Sequence, residues 1–454
     1  MSTMIPCFNC VISDDKVQCS DTESGYHRTI PVEDIVGILP SNGEQTHDYT
    51  MLYLQKEESN PGDLFKAYTI RLKSVPPAIL SRHLVTEIPS HLSNASSAQL
   101  RTHVIVSTGS GTGTAKEQFS NILQPCLAWI GLSRYETHQT ESAQSIVDLC
   151  QSLLIPQAEI GASQTIILLS GDGGLCDIID SFHGTANNLR SLPNIALIPT
   201  GTGNAMASSI GLVAHPKAAL IALLFGKPIP LPVFTSTFSQ GAHYVQDSQT
   251  SCPVTGDSRP LKIYGCVVAS WGMHAALVAD SDTSEYRKFG PDRFKMAAKE
   301  LLFPTDGSET HKYNGTITLI KTRELENEVV EHKQVLEHNE HMYVLATLVS
   351  HLEREFVISP QSVPMDGSLR IVRFGPMPSQ LAMQVLSAAY QGGQHVQNDD
   401  VMYSKIEGFR IDFHEFDERW RRVCIDGRIV LVDQEGWMEV RRDRRSLVNI
   451  LFRS

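Results

Sequence analysis

Three times between Thr102 and Val213 the chain repeats one plan: an apolar, β-branched run, a glycine-rich turn, then a helical pattern. The copies read "THVIVSTGSGTGTAKEQF", "TIILLSGDGGLCDIIDSF" and "NIALIPTGTGNAMASSIG". Repeated strand–turn–helix units build a parallel sheet with right-handed crossovers. The strands are near-continuous apolar runs, as expected when helices cover both faces. Between the first two copies, "SRYETHQTESAQSIVDLCQSLL" supplies a further short strand and helix.

The flanks differ in character. Residues 1–28 are polar and irregular and read as a disordered tail. "DIVGIL", "YTMLYLQ" and "KAYTIRLKSV" then predict a small β-rich module, and "SHLSNASSAQLR" a linker. The module is open to two readings, a membrane-docking β domain of pleckstrin-homology type or a packing extension. Residues 235–260 are rich in Ser, Thr, Gln, Gly and Pro and read as a mobile insertion. Beyond Lys262, strands follow one another without glycine-rich crossovers, which predicts an antiparallel sheet or sandwich. The charged stretch "RELENEVVEHKQVLEHNEH" reads as a solvated loop or helix with His332, His338 and His341 exposed. The expected division is a tail plus β-rich module (1–98), an α/β nucleotide-binding lobe (99–232) and a β-sandwich lobe (233–454).

Composition narrows the function classes. A formal net charge of −12 opposes non-specific nucleic-acid binding, which depends on Lys and Arg neutralising phosphates. No apolar run approaches the roughly 20 residues that span a bilayer. The N-terminus lacks the basic and apolar regions of a secretory signal. Nine scattered cysteines suit a reducing compartment. Cys7 and Cys10 form a CxxC pair with no second pair to complete a zinc site, so they read as ordinary thiols. The expectation is a cytoplasmic, peripherally membrane-associated protein.

Glycine directly after a buried strand lets backbone amides approach a ligand, and the following helix N-terminus favours an anion. Gly109–Gly113 is neither a dinucleotide fingerprint nor a Walker loop. Three such loops at the carboxyl edge of one sheet, however, predict a polyanion such as a nucleotide. Ser107, Thr108, Ser110, Thr200, Thr202 and Asn204 add polar groups able to touch phosphate. Asp172, between Gly171 and Gly173, is costly beside phosphate unless it deprotonates an acceptor hydroxyl or binds Mg²⁺. It is equally suited to capping a helix, and position alone leaves both roles open.

"SGDGGLCDIIDSF" is similar to the second signature of the diacylglycerol-kinase catalytic fold, and "IPTGTGNAMA" resembles that family's "P-x-G-T/S-G-N-x-x-A" segment. "SWGMHAALVADSDTSEYRKFGPDRF" looks most like the fourth signature of sphingosine kinases, and "VCIDGRIV" like their C-terminal "DGE" segment. The match spans about Val104 to Val432. It implies an NAD-kinase/diacylglycerol-kinase-like two-lobed fold, with ATP on the glycine loops and a lipid tail in the β lobe. By this resemblance Asp172 is the general base for a primary hydroxyl. Gly111, Gly113, Gly171, Gly173, Thr200, Gly201, Thr202, Gly203 and Asn204, with Ser107, Thr108 and Thr137, line the nucleotide. Arg287 and Arg293 stabilise the transferring phosphate, and Asp426 is an acid near Mg²⁺. Asp280, or its rival Asp282, falls where sphingosine kinases bind the substrate's ammonium.

Three departures stand out. The first loop has Ser107-Thr108 where the family has Asn-Pro. Asp177 and Asp180 replace a Glu and an Asn, and "DGE" has become Asp426-Gly427-Arg428. The expected activity is ATP-dependent phosphorylation of a sphingoid long-chain base at a membrane surface. The alternatives are a ceramide or diacylglycerol kinase, a nucleotide- or lipid-binding pseudokinase, and, more distantly, an NAD-kinase-like enzyme.

Overall fold

The computed structural model describes residues 7–20, 27–41, 48–57, 65–93, 100–111, 113–185, 188–246, 250–252, 261–282, 286–290, 292–325 and 328–453. Its central sheet has the order Lys227–Pro230, Asn449–Phe452, Asn194–Pro199, Gln164–Ser170, Arg101–Val106, Glu136–Gln139. All pairs are parallel except the first. Ile166, Ile167, Leu168 and Leu169 are all fully buried, so the continuous apolar run has the physical cause inferred for it, cover on both faces. Two of the covering helices widen into π turns at Phe119–Leu123 and Cys150–Leu154. Each sits just ahead of a proline, Pro125 or Pro156. A proline ring cannot donate to the preceding turn and crowds its carbonyl, and the wider turn makes room.

The C-terminal half forms two all-antiparallel sheets. One runs Lys262–Gly265, Val233–Phe238, Trp437–Asp443, Gly408–Phe413, Tyr313–Leu325, Glu328–Val335. The other has eight strands and includes Val268–Gly272, Tyr343–Thr347, Arg422–Ile425 and Arg428–Leu431. The apolar run "KIYGCVVASWG" is two strands, broken at Cys266 and Val267, where the chain leaves one sheet for the other. The last strand, Asn449–Phe452, returns to the parallel sheet beside Asn194–Pro199.

Several expectations are corrected. Cys7–Ser13 and Lys16–Ser20, expected in a disordered tail, are paired strands of a six-stranded N-terminal sheet. Cys10 is buried there with its sulfur 2.6 Å from that of Cys19. The charged stretch expected to be loop or helix falls on the Tyr313–Leu325 and Glu328–Val335 hairpin. His332 and His338 are exposed, but His341 is buried, Nε2 to the Gly315 carbonyl. Part of the expected insertion is strand, at Val233–Phe238, His243–Gln246 and Thr250–Cys252. Residues 239–242 form a turn, while 247–249 and 253–260, and the heart of the expected linker, 94–99, lie outside the described residues.

The N-terminal sheet packs on the parallel sheet's helices. Val36, Leu52 and Leu54 share one core with Val104, Leu123 and Leu127. Trp129 Nε1 donates to the Thr50 carbonyl at 3.2 Å. No helix among the described residues is long and apolar enough to cross a membrane.

Candidate active site

The three glycine loops meet at the carboxyl edge of the parallel sheet. Ser107 N donates to the Leu169 carbonyl and Thr200 N to that of Ser170, carrying the ladder into the loops. Ser110 Oγ accepts from Gly171 N at 2.9 Å, tying the first loop to the second. A Cβ on Gly111, whose φ is +55°, would lie 2.3 Å from the Thr200 carbonyl oxygen, and one on Gly201 2.4 Å from Gly171 Cα. The glycines therefore permit loop-on-loop contact as well as access for a ligand. Gly111→Ala is expected to cost at least about 1–3 kcal/mol of stability and to weaken nucleotide binding. Thermal melting with and without ATP checks it; an unchanged melt would show that the loops do not interlock.

Asn204 organises the third loop. In left-handed conformation (φ +51°), its Oδ1 accepts from Gly201 N and its Nδ2 donates to the Gly201 carbonyl. Gly113, Thr202 and Gly203 belong to these loops, and Gly173 stands in the first turn of the helix after the second loop with open space above it. Thr200 Oγ1 is buried with no hydrogen-bond partner among the described residues. A shallow edge of backbone amides, bare glycines and an unsatisfied hydroxyl fits a phosphate chain.

Thr137 lies elsewhere. It pairs in register with Val104, inside the Glu136–Gln139 edge strand, and is exposed. Thr140, just past the strand end, is the residue that reaches the first loop. Its Oγ1 accepts from Thr108 N at 3.0 Å, and its carbonyl accepts from Thr108 Oγ1 at 2.7 Å. The signal was present in "HQTES", since only the last residues of a strand in this sheet approach the ligand edge.

Asp172 opens the Asp172–Thr185 helix and keeps part of its surface open. Its carboxylate accepts from Ala205 N at 2.6 Å and Met206 N at 3.0 Å. It thus caps the start of a different helix, Ala205–Ser209, while standing at the loop edge. Burial pushes its carboxyl up to about 6, the two amide donors oppose the rise, and nearby Asp426 adds to it.

Asp426 does not fit a metal ligand. Asp426 and Gly427, both at positive φ, form the two-residue turn of the Arg422–Ile425/Arg428–Leu431 hairpin. Its Oδ1 accepts from Val267 N and Val268 N, and its Oδ2 from Cys266 N and the Cys176 thiol. A carboxylate has about four lone-pair sites, and all are taken. Asp426 is instead a clamp on the corner where the chain changes sheets, one hydrogen bond from the helix that carries Asp172.

Two departures from the family pattern are one arrangement. Arg428 Nη1 lies 2.8 Å from Asp180 Oδ2, and its Nη2 2.6 Å from Asp177 Oδ1. Burial opposes the Arg428 charge, but Asp180 and Asp177 outweigh it and hold the guanidinium protonated. The inverted charge at the hairpin is neutralised by the two acids on the helix.

The expected ammonium acid is occupied. Asp280, on the Met273–Ser281 helix, meets Arg422 at 2.7 Å and Arg419 at 3.1 Å. Asp282 Oδ1 is 3.5 Å from Arg293 Nη1. Arg293 opens the Asp292–Leu302 helix with its guanidinium over the Phe294 ring. Arg287 is in the Tyr286–Phe289 turn, and its side chain lies outside the described residues.

Residues 101–235 match the family model described as the diacylglycerol kinase catalytic domain. Sphingosine kinase 1 of Caenorhabditis elegans is 28% identical over 24% of this chain and 22% of its own length. Sphingosine kinase B of Dictyostelium discoideum is 41% identical over 15% of this chain and 9% of its own length. The chain therefore spans only a small part of those two relatives. Against human sphingosine kinase 1 the identity is 21%, over 69% of this chain and 82% of the relative.

Proposed function

We propose that this chain, which resembles diacylglycerol-kinase-type lipid kinases and most of all sphingosine kinases, transfers the γ-phosphoryl group of ATP to the primary hydroxyl of a sphingoid long-chain base. The observation that carries the reading is Asp172, a half-buried carboxylate of raised pKa at the junction of three glycine loops. A base titrating near 6 is ionised at neutral pH yet basic enough to take a proton from an acceptor hydroxyl. The hydroxyl oxygen attacks the γ-phosphorus, the bond to the bridging oxygen breaks, ADP leaves, and the proton passes to Asp172. Backbone amides of Gly111, Thr202 and Gly203 bind the phosphates, while those of Gly171 and Gly201 donate to Ser110 Oγ and Asn204 Oδ1 and hold the loops in shape. Mg²⁺ brought in with the nucleotide would supply charge neutralisation as phosphate is transferred. Among the described acids Asp172 retains lone pairs for it and Asp426 does not.

The pseudokinase alternative rests on Arg428 and on the Ser107-Thr108 departure in the first loop, and the pairing of Arg428 with Asp177 and Asp180 weakens the first of these grounds. Relatives named as sphingosine kinases and the Ser270–Phe294 block favour an amine-bearing lipid over ceramide or diacylglycerol. In this reading Asp282, 3.5 Å from one guanidinium, faces the ammonium in preference to Asp280, which two guanidinium groups hold at 2.7 and 3.1 Å.

Phosphate transfer from labelled ATP onto sphinganine, ceramide and diacylglycerol side by side tests the proposal. Product with sphinganine alone is expected. Asp282→Asn should lower kcat/KM for sphinganine about tenfold or more, and Asp280→Asn should lower the melting temperature without changing lipid preference. Product from diacylglycerol alone would reassign the substrate. ATP binding with no product from any lipid would return the pseudokinase.

A further inference from the structure

We propose that His103, Glu136 and His138 form a site for a divalent transition metal of the zinc class, at the outer edge of the parallel sheet and separate from the nucleotide loops. His103 in Arg101–Val106 pairs in register with Glu136 of the neighbouring strand. His138, two residues further along that strand, projects from the same face. His103 Nδ1 lies 3.1 Å from His138 Nε2 and 3.7 Å from Glu136 Oε2, and the latter two atoms are 4.0 Å apart. The circle through these three atoms has a radius of about 2.1 Å, the length of a zinc bond to imidazole nitrogen or carboxylate oxygen. An ion lifted slightly from their plane meets all three and keeps a fourth position for water.

The second shell agrees with this assignment. His103 Nε2 is 3.0 Å from Gln157 Oε1. An amide oxygen only accepts, so Nε2 carries the proton and Nδ1 presents its lone pair to the cluster. Fixing the tautomer through the far nitrogen is how metal-binding imidazoles are oriented. His103 is fully buried, His138 is partly exposed and Glu136 is more than half exposed, which gives the ion a path from solvent.

Chemistry selects the ion. Two imidazoles disfavour Mg²⁺, which takes oxygen ligands. The separations of 3.1, 3.7 and 4.0 Å centre nearer the roughly 3.4 Å edge of a tetrahedral site with such bonds than the roughly 3.0 Å edge of an octahedral one. A second cluster, Cys176, Cys266 and Asp426, is a weaker candidate because its carboxylate is already saturated by four donors.

An ion here would staple the edge strand, otherwise paired on one side only, to its neighbour. That strand leads directly into Thr140, which holds Thr108 in the first glycine loop. Metal binding would therefore stiffen one wall of the nucleotide edge without entering it.

Full-length protein stripped with a chelator and titrated with Zn²⁺ alone, followed by Co²⁺ as a spectroscopic probe, tests the site. One equivalent is expected to bind and raise the melting temperature. Bound Co²⁺ should show visible ligand-field bands without a thiolate charge-transfer band. Glu136→Gln and His138→Ala change exposed or half-exposed groups and should fold normally, yet weaken Zn²⁺ binding on the order of tenfold or more. Gln157→Leu should weaken it roughly 10–100-fold. Binding unchanged in Glu136→Gln and His138→Ala overturns the proposal, as does a thiolate band or the absence of binding at millimolar Zn²⁺.

Discussion

Asp172→Asn is expected to lower phosphate transfer by about 10²–10⁴-fold, the usual contribution of a positioned general base, with ATP affinity largely retained. The variant also bears on the carboxylate's second role. Both oxygens accept backbone amides of the Ala205–Ser209 helix. Asparagine has one acceptor, and its amide nitrogen would face an N–H. Melting should therefore fall by about 1–3 kcal/mol of stability, and a melt alongside the kinetics separates cap from base. Wild-type pH dependence adds an independent check. The folded carboxyl titrates near 6, above its ordinary value of 3.8. Stability from the protonated group is complete below the ordinary value and is lost as pH rises through about 6. Activity that needs the ionised base should rise over the same window. Opposed trends in rate and melting between about pH 4 and 6 are the expected signature. Turnover at the wild-type rate in Asp172→Asn would remove the base assignment.

Arg428→Glu, which writes the family's "DGE" back into the hairpin, is expected to destabilise the protein by about 3 kcal/mol. Asp177 and Asp180 would lose their cation and gain a third carboxylate beside Tyr244 and Cys176, groups that already sense the Arg428 charge. Activity should fall with stability, because Cys176 and the two acids stand on the helix that begins at Asp172. Combining Arg428→Glu with Asp180→Asn removes one repulsion and should recover part of the loss. The double-mutant coupling is then well outside the 0.3–0.5 kcal/mol scatter of independent sites. Denaturant melts of the two single variants and the pair measure it; strict additivity would mean that hairpin and helix are not coupled.

The parallel sheet, its three glycine loops and the place of Asp172 were legible because their signals are local. A β-branched run, a glycine turn and a helical period occupy fewer than about 20 consecutive residues, and the loops meet wherever parallel strands are adjacent. The Asp426-Gly427 turn was legible in principle for the same reason, since Asp-Gly between apolar runs is a hairpin signal. What Asp426 does was not. Its four donors come from Cys176 and from Cys266, Val267 and Val268, more than 150 residues earlier. The same holds for Arg428 against Asp177 and Asp180, for Asp280 against Arg419 and Arg422, and for His103 against His138. Motif position can name a residue's relatives but not its neighbours. A carboxylate becomes a base, a clamp or half of an ion pair according to which donors the fold brings within about 3 Å, and in this protein those donors arrive from other strands. Sequence alone determined the sheet, the loops and the chemistry they invite. Only the tertiary structure decided which acid is open to do it, because desolvation and hydrogen-bond partners are properties of the packed chain.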